Sequence, residues 1–96
     1  MGSSSKTQPY FVFMSYDPEY ERLRADRSKR GAHEVDLYVS RKHDQVLATT
    51  LEPGTYNKTC SLVIVDGFAV EITDDQANVL RSAKGVRVVD KNEQLP

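Results

Sequence analysis

The chain holds a single cysteine, Cys60. That excludes an intrachain disulfide, a CxxC redox pair and a thiolate metal cluster. Cys60 sits in an apolar strand-like run, where a buried, inert thiol is expected. No stretch of about 18 consecutive apolar residues occurs, so no helix of this chain is expected to span a membrane. Charge of neither sign dominates: 13 Lys+Arg stand against 14 Asp+Glu, for a formal net charge of -1. Nucleic acid fits that balance poorly, because phosphate binding needs a clustered cationic surface. The one basic cluster, Arg22 to Arg30, is interrupted by acids and reads as a solvated loop or helix end. His33 and His43 lie far apart with no third ligand at metal spacing, so they do not make a zinc site. No metal and no cofactor are expected.

What is present fits one domain. A chain of 96 residues can bury a modest core and hide roughly two thirds of its unfolded surface. Met1-Gly2-Ser3-Ser4-Ser5 reads as an artificial leader and carries no secretion signal, so it bears on neither the fold nor the natural compartment. Residues 1–8 are expected to lie outside the fold, 9–90 to form the domain, and 91–96 to form a tail.

The first element is Tyr10 to Tyr16, YFVFMSY, apolar on both alternating faces as in a covered strand. Asp17-Pro18 should end it, since the position before proline avoids the helical region and proline lacks a ladder donor. Glu19 to Gly31 is highly charged with weak apolar periodicity. It reads as a mobile insertion with one helical turn. His33 to Leu51 reads as an amphipathic helix: Val35, Val39, His43, Val46 and Thr50 recur at helical spacing, with Leu47 beside them. Glu34, Arg41, Lys42, Asp44 and Gln45 fall mostly on its wet side, and Glu52-Pro53-Gly54 closes it. Thr59 to Val65 is a strand, Asp66-Gly67 a hairpin signal with glycine taking positive φ, and Phe68 to Thr73 the returning strand. Thr73-Asp74-Asp75-Gln76 is a capping box for a short helix that buries Ala77 and Leu80. Gly85 is placed to end that helix, and Val86 to Asp90 is the last strand.

This order, βαββαβ, predicts an α+β ferredoxin-like fold: a four-stranded antiparallel sheet with two helices on one face. The uncovered face should read as polar if it met only water. It does not. Adjacent residues in Tyr10–Met14 and in Leu62–Val65 are apolar, and alternation puts half of each run on either face. A contiguous apolar area on the open face points to protein binding. Self-association, or coverage by the 19–31 segment, would also account for it. Whether Tyr10, Val12 and Met14 or Phe11 and Phe13 point outward stays open, since both sets are apolar.

The stretch from Val65 through Gly67-Phe68-Ala69-Val70-Glu71-Ile72-Thr73-Asp74-Asp75-Gln76-Ala77, followed by Val79-Leu80 and Gly85-Val86-Arg87-Val88-Val89, resembles the propeptide (inhibitor) domain of subtilisin-like serine proteases, plant subtilases above all. Pro9–Met14 is similar to the opening strand of that family and Arg41–Leu47 to its first helix. Glu71, the Asp74-Asp75 pair and the charged insertion after the first strand depart from its pattern. The resemblance implies a secreted, non-catalytic protein that is a monomer when free and pairs with a protease catalytic domain, inhibiting it and assisting its folding. Its sheet face would meet the protease through Ala69, Glu71, Arg87 and Val89. Asp90 and Asn92 would cap two protease helices. Glu93, Gln94, Leu95 and Pro96 would enter the substrate cleft as an added strand. The other reading is a ferredoxin-like regulatory module that dimerises or holds a small ligand on its sheet. An RNA-binding version lacks the basic-aromatic pattern on its central strands.

Among remaining residues, His43-Asp44 could be a general-base pair, but His43 falls on the apolar helix stripe, where a core histidine fits better. It could also sense pH: burial favours the neutral ring, so acid would charge it and loosen the domain. His33 reads as solvated. Asn57-Lys58-Thr59 is an N-glycosylation sequon.

Overall fold

A computed structural model describes residues 6–92 of the chain. Its elements are β1 (Gln8–Met14), α1 (Pro18–Arg24), α2 (Lys29–Thr50), β2 (Asn57–Leu62), β3 (Gly67–Ile72), α3 (Asp74–Arg81) and β4 (Val86–Lys91). The four strands form one antiparallel sheet in the order β2-β3-β1-β4. This is the expected α+β, ferredoxin-like arrangement, with one short helix added between β1 and α2.

Alternation along β1 sends Tyr10, Val12 and Met14 into the core. Phe68, Val70 and Ile72 join them from β3, and Val89 from β4. On α2, Val35, Val39, His43 and Leu47 recur every four residues and are all buried. Leu47 and Leu51, with Ala77 and Leu80 of α3, close the same core over the sheet. Each fully buried aliphatic or aromatic side chain contributes about 1.5–3 kcal/mol. Leu47 has no exposed surface. We expect Leu47→Ala to lower stability by about 2–5 kcal/mol in urea denaturation, since the cavity adds to the lost transfer energy; a loss below about 1 kcal/mol would contradict the packing described.

Three local features differ from the sequence-based expectation. First, residues 18–24 are helical and packed rather than mobile. Asp17 is the N-cap, its side chain accepting from the Glu19 N–H at 3.1 Å, and Pro18 takes the first helical position, where its missing donor costs nothing. Tyr20 is buried against Val35 and Val39. A helix of seven residues needs only one or two apolar anchors, too few to show a period. Second, α2 starts at Lys29, four residues before His33, capped by Ser28, whose hydroxyl accepts from the Gly31 N–H at 3.0 Å.

Third, β2 stops at Leu62, which pairs with Gly67, so Val63 to Asp66 form the turn and Ile64 and Val65 are exposed. Asp66, not Gly67, has positive φ, at 47°. Gly67 belongs to β3, where a Cβ would come within 2.8 Å of the Val12 carbonyl oxygen and 2.9 Å of the Phe13 ring. Close approach, rather than a left-handed turn, requires glycine there. The capping box of α3 forms as read: Thr73 Oγ1 accepts from the Gln76 N–H at 3.1 Å, and Gln76 Oε1 from the Thr73 N–H at 2.9 Å. At the chain ends, Gln8 already pairs with Ile72, and the Asn92 N–H donates to the Pro9 carbonyl at 2.9 Å.

Candidate docking face

Cross-strand register decides which side chains share the uncovered face. Phe11 stands opposite Ala69 on one side and Asp90 on the other; Phe13 stands opposite Gly67 and Val88. On β2, Leu62 faces Gly67, Cys60 faces Ala69 and Asn57 faces Glu71. The centre of the face is therefore Phe11, Phe13, Leu62, Ala69 and Val88, rimmed by Glu71, Asp90 and Asn57. The two phenylalanine rings stack on each other, centroids 6.4 Å apart and planes 30° from parallel. Both remain half-exposed. Helices α2 and α3 pack on the opposite side of the sheet, and α1 packs on α2 through Tyr20. None of the three covers this face, so the 19–31 segment does not seal it. The question left open by the sequence is answered: Tyr10, Val12 and Met14 point inward, Phe11 and Phe13 outward.

Among the expected sheet-face residues, Ala69 and Glu71 lie on the open face. Val89 does not. It pairs with Val12 and is only 4% exposed, inside the core, because an antiparallel partner shares its neighbour's face. Arg87 sits at the register shift beside Met14, which turns it toward a cleft at the sheet end shared with Tyr16, Tyr20, Arg24 and Ile64. Asp90 is exposed beside Phe11, and Asn92 is half-buried. Glu93, Gln94, Leu95 and Pro96 lie outside the described residues. Cys60 is exposed rather than buried. A register shift between Lys58 and Cys60 makes Thr59 the extra residue, its hydroxyl donating to the Ala69 carbonyl at 3.1 Å, and Cys60 emerges on the open side.

Beneath the other side of the sheet runs a polar network that the sequence does not announce. His43 has no exposed surface and tilts against Phe68, centroids 4.8 Å apart. Its Nε2 is 2.9 Å from Asp66 Oδ1 and its Nδ1 2.9 Å from Ser61 Oγ. A carboxylate only accepts, so Nε2 carries the proton and, in the neutral ring, the Ser61 hydroxyl donates to Nδ1. Lys42 Nζ donates to Asp66 Oδ2 at 2.6 Å and to Asp17 Oδ2 at 2.8 Å. The Tyr38 hydroxyl donates to the same Asp17 oxygen at 2.6 Å, and the Tyr20 hydroxyl to the Val63 carbonyl. The Met14 N–H donates to the Asp66 carbonyl at 3.0 Å. One network thus ties the α1 cap, α2, β2 and the β2–β3 turn together.

The electrostatics follow from these contacts. Burial pushes the Asp66 carboxyl upward, but hydrogen bonds from His43 and Lys42, with the Lys42 charge, outweigh it and hold the group below the ordinary carboxylate range. Asp17 is likewise pushed up by burial but held below its ordinary range by hydrogen bonds from Lys42 and Tyr38. The Tyr38 hydroxyl is pushed up to about 12 by burial and by its bond to Asp17. His43 and Asp44 do not pair: Asp44 is bound to Lys58 at 2.7 Å, and both nitrogens of the buried His43 ring are engaged internally, as a core histidine requires. Lys42, read as a wet-side residue, is largely buried in the network. Among the described residues no cluster of three or more His, Cys, Asp or Glu could hold a metal ion.

Among the described residues the site offers an apolar sheet face above a buried polar network. Comparison with known proteins bears on what that surface is. Subtilisin-like protease SBT2.5 of Arabidopsis thaliana is 43% identical over 56 residues, which is 57% of this chain and 7% of that protein. Subtilisin-like protease SBT2.4 of the same plant is 38% identical over 85 residues, 88% of this chain and 10% of the protease. Subtilisin-like protease SBT2.6 is 39% identical over 56 residues, 57% of this chain and 7% of that protein. The chain is similar to one small region of plant subtilisin-like proteases. It spans a tenth or less of the length of these relatives. No protein-family model matches it, and no solved structure gives a significant match.

Proposed function

We propose that this chain is a propeptide-type inhibitor, and folding assistant, of a subtilisin-like serine protease, and is not itself an enzyme. The observation that carries the reading is the uncovered apolar face of Phe11, Phe13, Leu62, Ala69 and Val88 in a chain similar to a small region of subtilases. A soluble monomer gains nothing from leaving stacked phenylalanines outside its core, whereas a protease surface would bury them. Ala69 and Glu71 meet the protease at the same time. Asp90 and Asn92, at the end of β4, accept from the free N–H groups at the N-termini of protease helices. Glu93, Gln94, Leu95 and Pro96 enter the substrate cleft of the protease as an added strand. The protein works in the secretory pathway, alone as a monomer and with its protease as a one-to-one complex.

The test is inhibition of several plant subtilases by the full chain and by a chain lacking Gln94 to Pro96. Loss of the tail is expected to raise the inhibition constant at least tenfold while leaving thermal stability unchanged. Equal potency with and without the tail would defeat the reading, and a dimer in sedimentation would favour the self-association alternative.

A further inference from the structure

We propose that Asn57 carries an N-linked glycan, and that the glycan guards the free edge of β2 against pairing with a second copy of this chain. The proposal rests on passage through the secretory pathway and on no other part of the proposed function.

Asn57-Lys58-Thr59 has the acceptor pattern: an asparagine, a hydroxyl two residues on, and no proline between them. Asn57 is the first residue of β2. Side chains alternate along a strand, and both ends of the sequon are exposed. Lys58 between them turns inward and donates to Ser40 Oγ at 3.4 Å and Ser61 Oγ at 3.1 Å. A glycan on Asn57 therefore displaces nothing from the core.

In the folded chain the Thr59 hydroxyl is engaged, donating to the Ala69 carbonyl at 3.1 Å. Ala69 lies in β3, downstream of the sequon. Synthesis runs from the N-terminus, so the sequon emerges before its partner strand and its hydroxyl is then free. Transfer joins the Asn57 side-chain nitrogen to C1 of the sugar of a lipid-linked oligosaccharide diphosphate. The bond from C1 to the diphosphate oxygen breaks, the lipid diphosphate leaves with that electron pair, and the amide nitrogen gives up one proton. Closure of β3 on β2 follows, with the glycan outside.

The position of the glycan gives it a use. β2 and β4 are the two edges of the sheet, and an edge strand offers unpaired backbone groups on which another strand can add. On β4 the Arg81 guanidinium donates to the Val89 carbonyl at 3.0 Å. On β2 the register shift after Lys58 breaks the ladder only further along. Neither device reaches Asn57, where a bulky hydrated glycan blocks an incoming strand. Asn57 stands two strands from Phe11, about 10 Å across the sheet and about 7 Å along it, so the phenylalanine pair stays open.

The full chain should be secreted from plant cells behind a cleavable signal peptide, with its mass measured before and after peptide N-glycosidase. A glycan is expected on the wild type and on Thr59→Ser, and on neither Asn57→Gln nor Thr59→Ala. A secreted wild-type chain without a glycan would overturn the site; since the signal peptide delivers the chain, that result leaves the natural compartment and the inhibition untouched. Sedimentation in reductant, which keeps Cys60 from cross-linking copies, tests the guard. Asn57→Gln should dimerise about tenfold more tightly than the glycosylated chain, as one or two added strand hydrogen bonds allow. Enzymatic removal of the glycan should act alike, so the result does not depend on how the variant folds. Adding Phe13→Asp should leave that dimer intact. Equal association with and without the glycan would overturn the guard, as would a dimer that Phe13→Asp dissolves, which would place the contact on the open face.

Discussion

Asp66→Ala is expected to destabilise the domain by about 2–5 kcal/mol, because it leaves the fully buried His43 ring N–H without an acceptor and takes from Lys42 one of its two carboxylate partners, Asp17 remaining. The Asp66 side chain is 6% exposed, and its two oxygens receive Lys42 and the fully buried His43. Alanine adds a backbone cost, since φ of 47° at this position suits Asn, Asp or Gly better than a residue with no local hydrogen bond. A domain of this size has about 5–15 kcal/mol in total, so much of its stability would go. Asp66→Asn keeps the turn and one hydrogen bond and should cost about 1–3 kcal/mol. Urea denaturation of both variants at pH 7 tests the ordering; a loss under about 1 kcal/mol for alanine would show that the network is not stabilising.

Acid should act on the same group. The folded-state carboxyl of Asp66 titrates below its unfolded value, as does that of Asp17. Their stabilisation is therefore complete above the unfolded value of about 3.9 and is lost as pH falls through the lower folded values. Wild-type protein should lose stability steadily below about pH 4.

Phe13→Asp is expected to abolish docking while sparing the fold. Phe13 lies near the middle of the open face and stacks on Phe11, the setting in which a single aromatic anchor carries about 2–4 kcal/mol of binding. On the proposed function, inhibition of the target subtilase should weaken by roughly 30-fold to 1000-fold, with a stability loss of less than about 2 kcal/mol, since the ring is already half-exposed. Val89→Asp is the control on the covered face: it should unfold the domain. Full inhibition by a folded Phe13→Asp protein would remove the open face from the interaction.

The contrast between these variants marks how far the chain could be read unaided. The capping box at Thr73, the βαββαβ order and the inward Val35, Val39 and His43 are local patterns, set by residues three or four apart, and each is present in the structure; Val46 and Thr50, read onto the same stripe, are only half-buried, and Leu47 takes the core position instead. The seven residues of α1 are too short to show a period, and their acids and bases looked like solvent until Tyr20 was seen packed between Val35 and Val39. Val89 and Cys60 were assigned to the wrong environments for a common reason: a single extra residue, at Arg87 in one strand and Thr59 in the other, reverses the side on which the following side chains emerge. No pattern along the chain reveals such a shift.

Sequence alone determined the α+β order of these elements and an apolar excess beyond what two helices can cover, because burial periodicity and caps are short-range properties. Tertiary structure decided which aromatic set points outward and that Asp66 meets His43 and Lys42 beneath the turn. Those outcomes depend on strand register and on partners more than twenty residues apart, which only the closed sheet brings within hydrogen-bonding distance.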